Sequence, residues 1–338
     1  MWVGIDWCAF SLNVGDLFAV TGHDETDVDL VNELMIPERA QAAAVIAWHF
    51  FFQDSALTLD ETPGKGKFYK HRFKLKNAAD EMCGLIEVGG EYTRRKDGAV
   101  TMRIELTGEG CTAYEGRDLA AGSAHAQRWV LLKAKLESCD GRLARLDVAA
   151  DDFTGQHSVA SAIEMWKGGK FDNRGQRPKA QHIDDMGSNA GCTFNIGSRT
   201  SEKMLRVYEK DKQLGDVGGL RVRWEVEFHA STRKPLDLDS LRDPESFFRG
   251  AYPVLAFIEA SMARFESVGA SRDACMKSLF RHVRRQYGKS FNFLAHYFKD
   301  DADIGAFVVM LSRPGLPAWA HEYLGTDTGD NVQAFANI

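Results

Sequence analysis

Apolar and polar residues alternate with period two over several short stretches of the chain, as in half-buried β-strands. Over residues 221–228, Val222, Trp224, Val226 and Phe228 fall on one side and Arg221, Arg223, Glu225 and Glu227 on the other. Residues 143–150, 192–197 and 204–210 read as strands too. Residues 85–88 and 100–106 form the arms of a hairpin turned at Lys96-Asp97-Gly98, because Asp-Gly tolerates the positive φ of a tight turn. Helices are expected over 119–136 and 158–167, the second stopped by Gly168-Gly169. The polar stretch 171–189 reads as a loop. Beyond Pro235 the pattern turns helical, over 243–249, 252–267, 272–287 and 291–298.

The first 62 residues read as a module of their own. The apolar run 42–52 follows Pro37-Glu38-Arg39 and predicts a buried helix, far too short to span a bilayer. The N-terminus MWVGIDWCAF has no basic n-region and no long apolar h-region, so no signal peptide is expected. The expected organisation is an acidic module over 1–62, a central domain over 63–235 and a helical region over 236–338.

Charge changes this picture. The 338 residues carry 42 Lys+Arg and 48 Asp+Glu, a net charge of −6, with 44% apolar residues. These values describe an ordinary globular protein, and the mild acidity by itself argues against a nucleic-acid partner. Regional sums reverse that argument: residues 1–62 sum to −10, 300–338 to −5, and 63–299 to +9. Such asymmetry points to a polyanionic partner for the middle of the chain. The six cysteines show no C-x-x-C spacing and form no cluster with histidine, so reduced thiols in a cytoplasmic protein are expected.

Two basic stretches stand out. Residues 65–76 hold six basic residues, three aromatics and no acid; Lys70, Arg72 and Lys74 fall on one face of a strand that suits phosphate contacts, although lysines guarding an exposed edge give the same pattern. Arg281, Arg284, Arg285 and Lys289 recur at helical spacing and form a cationic stripe, or simply a solvated helix face.

The chemistry-bearing residues sit on three of the strands. Alternation aligns Arg145, Asp147 and Asp151 on one, Arg206, Tyr208 and Lys210 on another, and Arg223, Glu225 and Glu227 on the third. In one sheet they would present carboxylates, guanidinium groups, a lysine and a tyrosine together. Carboxylates favour Mg²⁺ or Mn²⁺. Arg and Lys stabilise a phosphoryl transition state, and a tyrosine can attack phosphorus. A salt-bridged, solvated sheet face fits the alternation as well.

Four blocks in order carry a resemblance: Met102–Cys111 (MRIELTGEGC), Arg145–Gly155 (RLDVAADDFTG), Thr193–Ser201 continuing into Leu205–Lys210 (TFNIGSRTS and LRVYEK), and Val222–Glu227 (VRWEVE). The sequence resembles the Rep_trans, or replication initiation factor, family, which includes rolling-circle initiators of pT181-type plasmids and replication proteins of filamentous phages. The resemblance implies an α+β fold with an antiparallel RRM-like catalytic sheet, flanking helices and a helical C-terminal region. It implies strand-specific nicking and rejoining of origin DNA through a covalent 5′-phosphotyrosine. Tyr208 would be the nucleophile, flanked by Arg206 and Lys210. Asp147 and Glu225 would bind Mg²⁺ or Mn²⁺, with Asp151 and Glu227 as further ligands. Ser198, Arg199, Arg145 and Arg223 would contact DNA. A homodimer is implied, with host helicase and polymerase as further partners, in the cytoplasm of a bacterial host and without a membrane. The chain has no His-x-His metal motif, and Glu209 follows the tyrosine where the family often has Asp. A nuclease that activates water with the same carboxylates, or a non-enzymatic DNA-binding regulator, remains an alternative.

Overall fold

A computed structural model describes residues 2–23, 29–90, 95, 98–116, 124–172, 175–231, 235–257, 287, 290–294, 296–298 and 300–311. The chain divides into two compact units, Met1–Arg117 with Ser123–Met262, and Asp118–Gly122 with Ala263–Ile338. The described part of the second unit holds a helix over Asp301–Leu311. The cationic stripe at Arg281, Arg284, Arg285 and Lys289, together with Cys275, lies outside the described residues.

The first unit is built on one ten-stranded antiparallel sheet. In chain order the strands are β1 (Trp2–Asn13), β2 (Thr58–Lys65), β3 (His71–Lys76), β4 (Met82–Val88), β5 (Thr101–Leu106), β6 (Arg142–Asp152), β7 (Ala180–Ile183), β8 (Thr193–Gly197), β9 (Lys203–Glu209) and β10 (Val222–His229). Across the sheet the order is β2-β3-β4-β5-β1-β6-β10-β9-β8-β7. The fold is therefore α+β with a large antiparallel sheet, as expected.

Residues 1–62 are part of this sheet. β1 lies between β5 and β6, pairing antiparallel with both. The helix α1 (Val14–Val20) follows it, with the Asn13 side chain capping the Gly15 N–H. After the short helix α2 (Leu30–Glu33), α3 (Pro37–Phe52) begins at a proline, whose missing N–H costs nothing in the first turn. Ala40, Ala43, Ala44 and Ala47 of α3 are buried, which lets it lie close on β2, β3 and β4. Of the described acids of this stretch, Asp29, Glu38, Asp54 and Glu61 are exposed and Asp6, Asp16, Glu33 and Asp60 are half-buried, while Phe10, Leu12, Leu17 and Phe52 are fully buried.

Between β5 and β6 come α4 (Gly108–Glu115), capped by the Thr107 hydroxyl, and α5 (Ala124–Ser138). Gly110 is required for this packing, because a Cβ there would meet the Cys83 carbonyl of β4 at 2.1 Å. The helix α6 (Val159–Lys167), capped by Ser158, packs on β8 and β9. The stretch 171–189 is not all loop: it contains β7, a sheet-edge strand that pairs with β8. Its polar sequence reflects an exposed edge with little to bury. The short helix α7 (Lys210–Gln213) lies between β9 and β10, and α8 (Asp239–Arg242) and α9 (Pro244–Ala251) follow β10.

Among the described residues no helix is long and apolar enough to cross a membrane. Cys8, Cys83, Cys111 and Cys139 are buried free thiols, and burial raises the proton affinity of Cys8, Cys83 and Cys139.

Because β1 is internal to the sheet, Phe10→Ala should destabilise the first unit by about 3–5 kcal/mol, read from its denaturant midpoint. A fragment of residues 63–235 should fail to fold cooperatively; a cooperative unfolding transition from that fragment would show β1 to be dispensable.

Candidate active site

The three strands that carry the chemistry lie side by side as β6, β10 and β9. Their register sets Asp147 opposite Glu227, Asp151 opposite Arg223, Arg206 opposite Glu225, and Tyr208 opposite Arg223. Trp224 and Val226 point the other way, into the core. Directly opposed residues lie within side-chain reach, so the register alone assembles the polar cluster.

The cluster has two parts. In the first, Arg145 clamps Asp147 with two hydrogen bonds of 2.8 and 2.6 Å and reaches Glu227 at 2.8 Å. Arg206 Nη2 bonds closely to Glu225 Oε1 and stands 3.9 Å from Asp147 and 4.0 Å from Glu227. The Tyr208 hydroxyl donates to Glu225 Oε2 at 2.8 Å. The three carboxylates and the tyrosine are buried, while Arg145 and Arg206 are 28% and 26% exposed and form an outer cationic layer. Arg145 also lies over the Trp7 ring, at 4.8 Å from its centroid.

In the second part, Arg223 is held by Asp151 at 2.6 and 2.7 Å and by Asp6 at 2.6 Å. Asp6 and Trp7 sit at an irregularity where β1 shifts register against β6. A bulge of this kind can turn two successive residues toward one face, which explains how a β1 aspartate reaches β10. Lys210 Nζ lies 5.5 Å from the Tyr208 ring centroid.

These contacts set the proton affinities. Burial, then the charges of Glu225 and Glu227, raises Asp147 well above the carboxylate range against the pull of Arg145. Burial works the same way on Glu225, yet Arg206, the Tyr208 hydroxyl and Arg223 hold it below that range. Burial and the Glu225 charge raise Tyr208, so its phenol stays protonated at neutral pH. Burial and Arg223 lower Lys210. Asp151, though buried, is held low by Arg223. Three carboxylates thus face two guanidinium groups in the first part, and the surplus negative charge raises the affinity of the group for a proton or another cation.

Three polar atoms at this face, Trp7 Nε1, Asn195 Oδ1 and Arg206 Nε, are buried without a hydrogen-bond partner. Buried polar groups are ordinarily satisfied, so unused capacity at one place suits a ligand. Asn195 of β8 is opposite Arg206. Two clefts of about 150 and 250 Å³ lie elsewhere, around Leu30 and Ile46 and around Tyr114 and Leu131. Neither cleft is lined by a residue of the cluster.

The other expected residues are dispersed. Ser198 and Arg199 lie in the turn between β8 and β9, where Gly197 has φ +99° and Ser198 bonds to Thr200 and Ser201. Lys70 donates to the Met35 carbonyl, Arg72 is engaged by Glu87, and Lys74 is exposed on β3. Among the described residues, the group whose ligand atoms lie within 4.8 Å of one another is His182, Asp184 and Cys192 at the β7–β8 edge. Sequence reasoning missed it, and it also missed Asp6, Trp7 and Asn195.

Residues 141–242 match the model of the Replication initiation factor family. This segment contains β6 to β10 and every residue of the first part of the cluster. The Met102–Cys111 block lies outside it. A rolling circle replication initiator protein from Geobacillus stearothermophilus is similar in structure, with a TM-score of 0.46 and 20% identity over 72% of this chain and 79% of that one. Comparison with curated proteins finds no match.

Asp147 supplies a test of the electrostatics. Its folded-state affinity is raised, so its contribution to stability is full below the unfolded value near pH 4 and is lost as the pH rises above it. Relative to the wild type, Asp147→Asn in a chelator should be more stable at pH 8 than at pH 5, by roughly 1–3 kcal/mol in thermal or chemical unfolding. An equal offset at both pH values would show that Asp147 is not strained by its neighbours.

Proposed function

We propose that the protein initiates rolling-circle replication by nicking and rejoining one strand of origin DNA through Tyr208. The observation that carries this reading is the Tyr208 hydroxyl donating at 2.8 Å to Glu225 within a carboxylate–guanidinium face of the family-matched segment. A nucleophile bonded to its proton acceptor is the arrangement that covalent catalysis needs.

The geometry supports a division of roles. Glu225, held in its ionised form, accepts the phenol proton as the tyrosine oxygen bonds to phosphorus. The bond from phosphorus to the 3′ oxygen breaks, the 3′ oxygen takes a proton from solvent, and the 5′ phosphate stays on Tyr208. The reverse transfer rejoins the strand. Arg206 and Arg145, the outer layer, meet the phosphate oxygens and offset their developing charge. Lys210 adds a positive charge beside the phenol ring. Arg223 is buried between Asp6 and Asp151, so it positions β10 against β6 and β1 from within.

The donor set suits a hard divalent cation. Asp147, Glu225 and Glu227 offer only oxygen atoms and, with all three ionised, carry more negative charge than the two arginines offset. These residues would hold Mg²⁺ or Mn²⁺, which would polarise a phosphoryl oxygen. Asp151 is engaged by Arg223 in the other part of the cluster. The His182, Asp184 and Cys192 group contains a thiol and an imidazole, which suit softer metals. Origin DNA is the proposed partner, a cytoplasmic location in a bacterial host is proposed with it, and a homodimer and host helicase and polymerase contacts accompany the reading.

Incubation of the protein with a single-stranded origin oligonucleotide and Mg²⁺ or Mn²⁺ should give a covalent protein–DNA adduct that Tyr208→Phe abolishes. Cleavage without any adduct would instead identify a nuclease that activates water. Glu225→Gln should slow adduct formation by about 10²–10⁴-fold at saturating DNA; an unchanged rate would remove Glu225 as the proton acceptor.

A further inference from the structure

The two halves of the sheet share one connection order. Each begins with a long strand, passes through helix, and continues as a four-stranded meander whose last strand returns beside the first: β1 then β2 to β5, and β6 then β7 to β10. α3 packs on β3 and β4 as α6 packs on β8 and β9. β1 and β6 pair antiparallel at the centre, so the halves are related by an approximate two-fold axis normal to the sheet.

The registers align residue by residue. In the second half Arg223 is opposite Tyr208 and Asp151, and Glu225 is opposite Arg206 and Ala149. In the first half Arg103 is opposite Glu87 and Ser11, and Glu105 is opposite Leu85 and Ala9. The last strands carry the same pattern, Met102-Arg103-Ile104-Glu105-Leu106 and Val222-Arg223-Trp224-Glu225-Val226. The equivalent alanines, Ala9 and Ala149, are both buried. Glu87 therefore stands where the second half has Tyr208, and Leu85 where it has Arg206.

The first half thus keeps an arginine–glutamate framework and lacks a nucleophile. Glu87 is buried and saturated by Arg72 at 2.9 and 2.7 Å, by Arg103 at 3.2 Å and by the Lys67 backbone N–H at 3.2 Å. The loop carrying Lys67 folds over it, and the Tyr69 hydroxyl bonds to Thr101. Lys67 and Lys74 are exposed around this group. The surface is cationic and chemically inert.

A two-fold axis normal to the sheet keeps both halves on one face and reverses direction. Two DNA strands that cross equivalent surfaces in the same sense must then be antiparallel, as the strands of a base-paired segment are. We infer that the first half is a degenerate copy of the nicking half, and that its Glu87–Arg103 surface holds the strand complementary to the scissile one through phosphate contacts, without cutting it. The inference rests on the nicking reading of the second half. Glu87 and Tyr208 lie five strands apart, on the order of 24 Å at ~4.8 Å per strand. That span corresponds to about seven base steps at ~3.4 Å each.

Binding without cleavage tests it. The probes are a labelled oligonucleotide of arbitrary sequence and the same strand annealed to a complement over about ten base pairs, measured by fluorescence anisotropy with full-length Tyr208→Phe. The part-duplex probe should bind about tenfold more tightly. Adding Lys67→Ala and Lys74→Ala should erase that advantage and reduce the salt slope of duplex binding by about 2. Equal binding of both probes, or an advantage that survives the double substitution, would overturn the inference. Since no adduct is scored, failure of the nucleophile assignment and failure of this inference give separate results.

Discussion

Glu225 is the residue on which the site turns. One carboxylate oxygen accepts the Tyr208 hydroxyl and the other meets Arg206, and the whole group is buried on the sheet face. A buried carboxylate survives only where its charge is compensated, so Arg206 and Arg145 are drawn over the cluster as a cationic layer. The layer that stabilises the carboxylates is also the surface that a phosphate would meet. On the proposed function, the electrostatics of folding and the recognition of a polyanion would be supplied by the same two side chains.

The antiparallel register sets this arrangement. A shift of β9 by one residue against β10 would send Arg206 and Tyr208 into the core and bring Leu205 and Val207 out. The apolar faces of β10 and β9, with Trp224, Val226, Leu205 and Val207 fully buried, prevent that shift. Further support comes from the other half of the sheet, where Asp6 of β1 holds Arg223 from the far side. The acidic N-terminal stretch is therefore part of the site's foundation.

Much of the site was legible because strand periodicity is simple. Once 143–150, 204–210 and 221–228 are read as strands, alternation places Asp147, Arg206, Tyr208 and Glu225 on polar faces, and the structure brings those faces together. What periodicity cannot give is strand order. β1 was hidden because its irregularity between Ile5 and Trp7 breaks the alternation, so Asp6 and Trp7 did not read as site residues. β7 was hidden because an exposed edge strand needs few apolar residues. The matching strand orders of the two halves also escaped the sequence, since the pattern shared by 102–106 and 222–226 is only five residues long.

The central claim is that Tyr208 becomes joined to DNA, and the most direct measurement is mass spectrometry of the peptides left after reaction with origin DNA and nuclease trimming. The account predicts a nucleotide remnant linked through its 5′ phosphate to the peptide containing Tyr208. A remnant on another tyrosine, such as Tyr69 whose hydroxyl is bonded to Thr101, would contradict it.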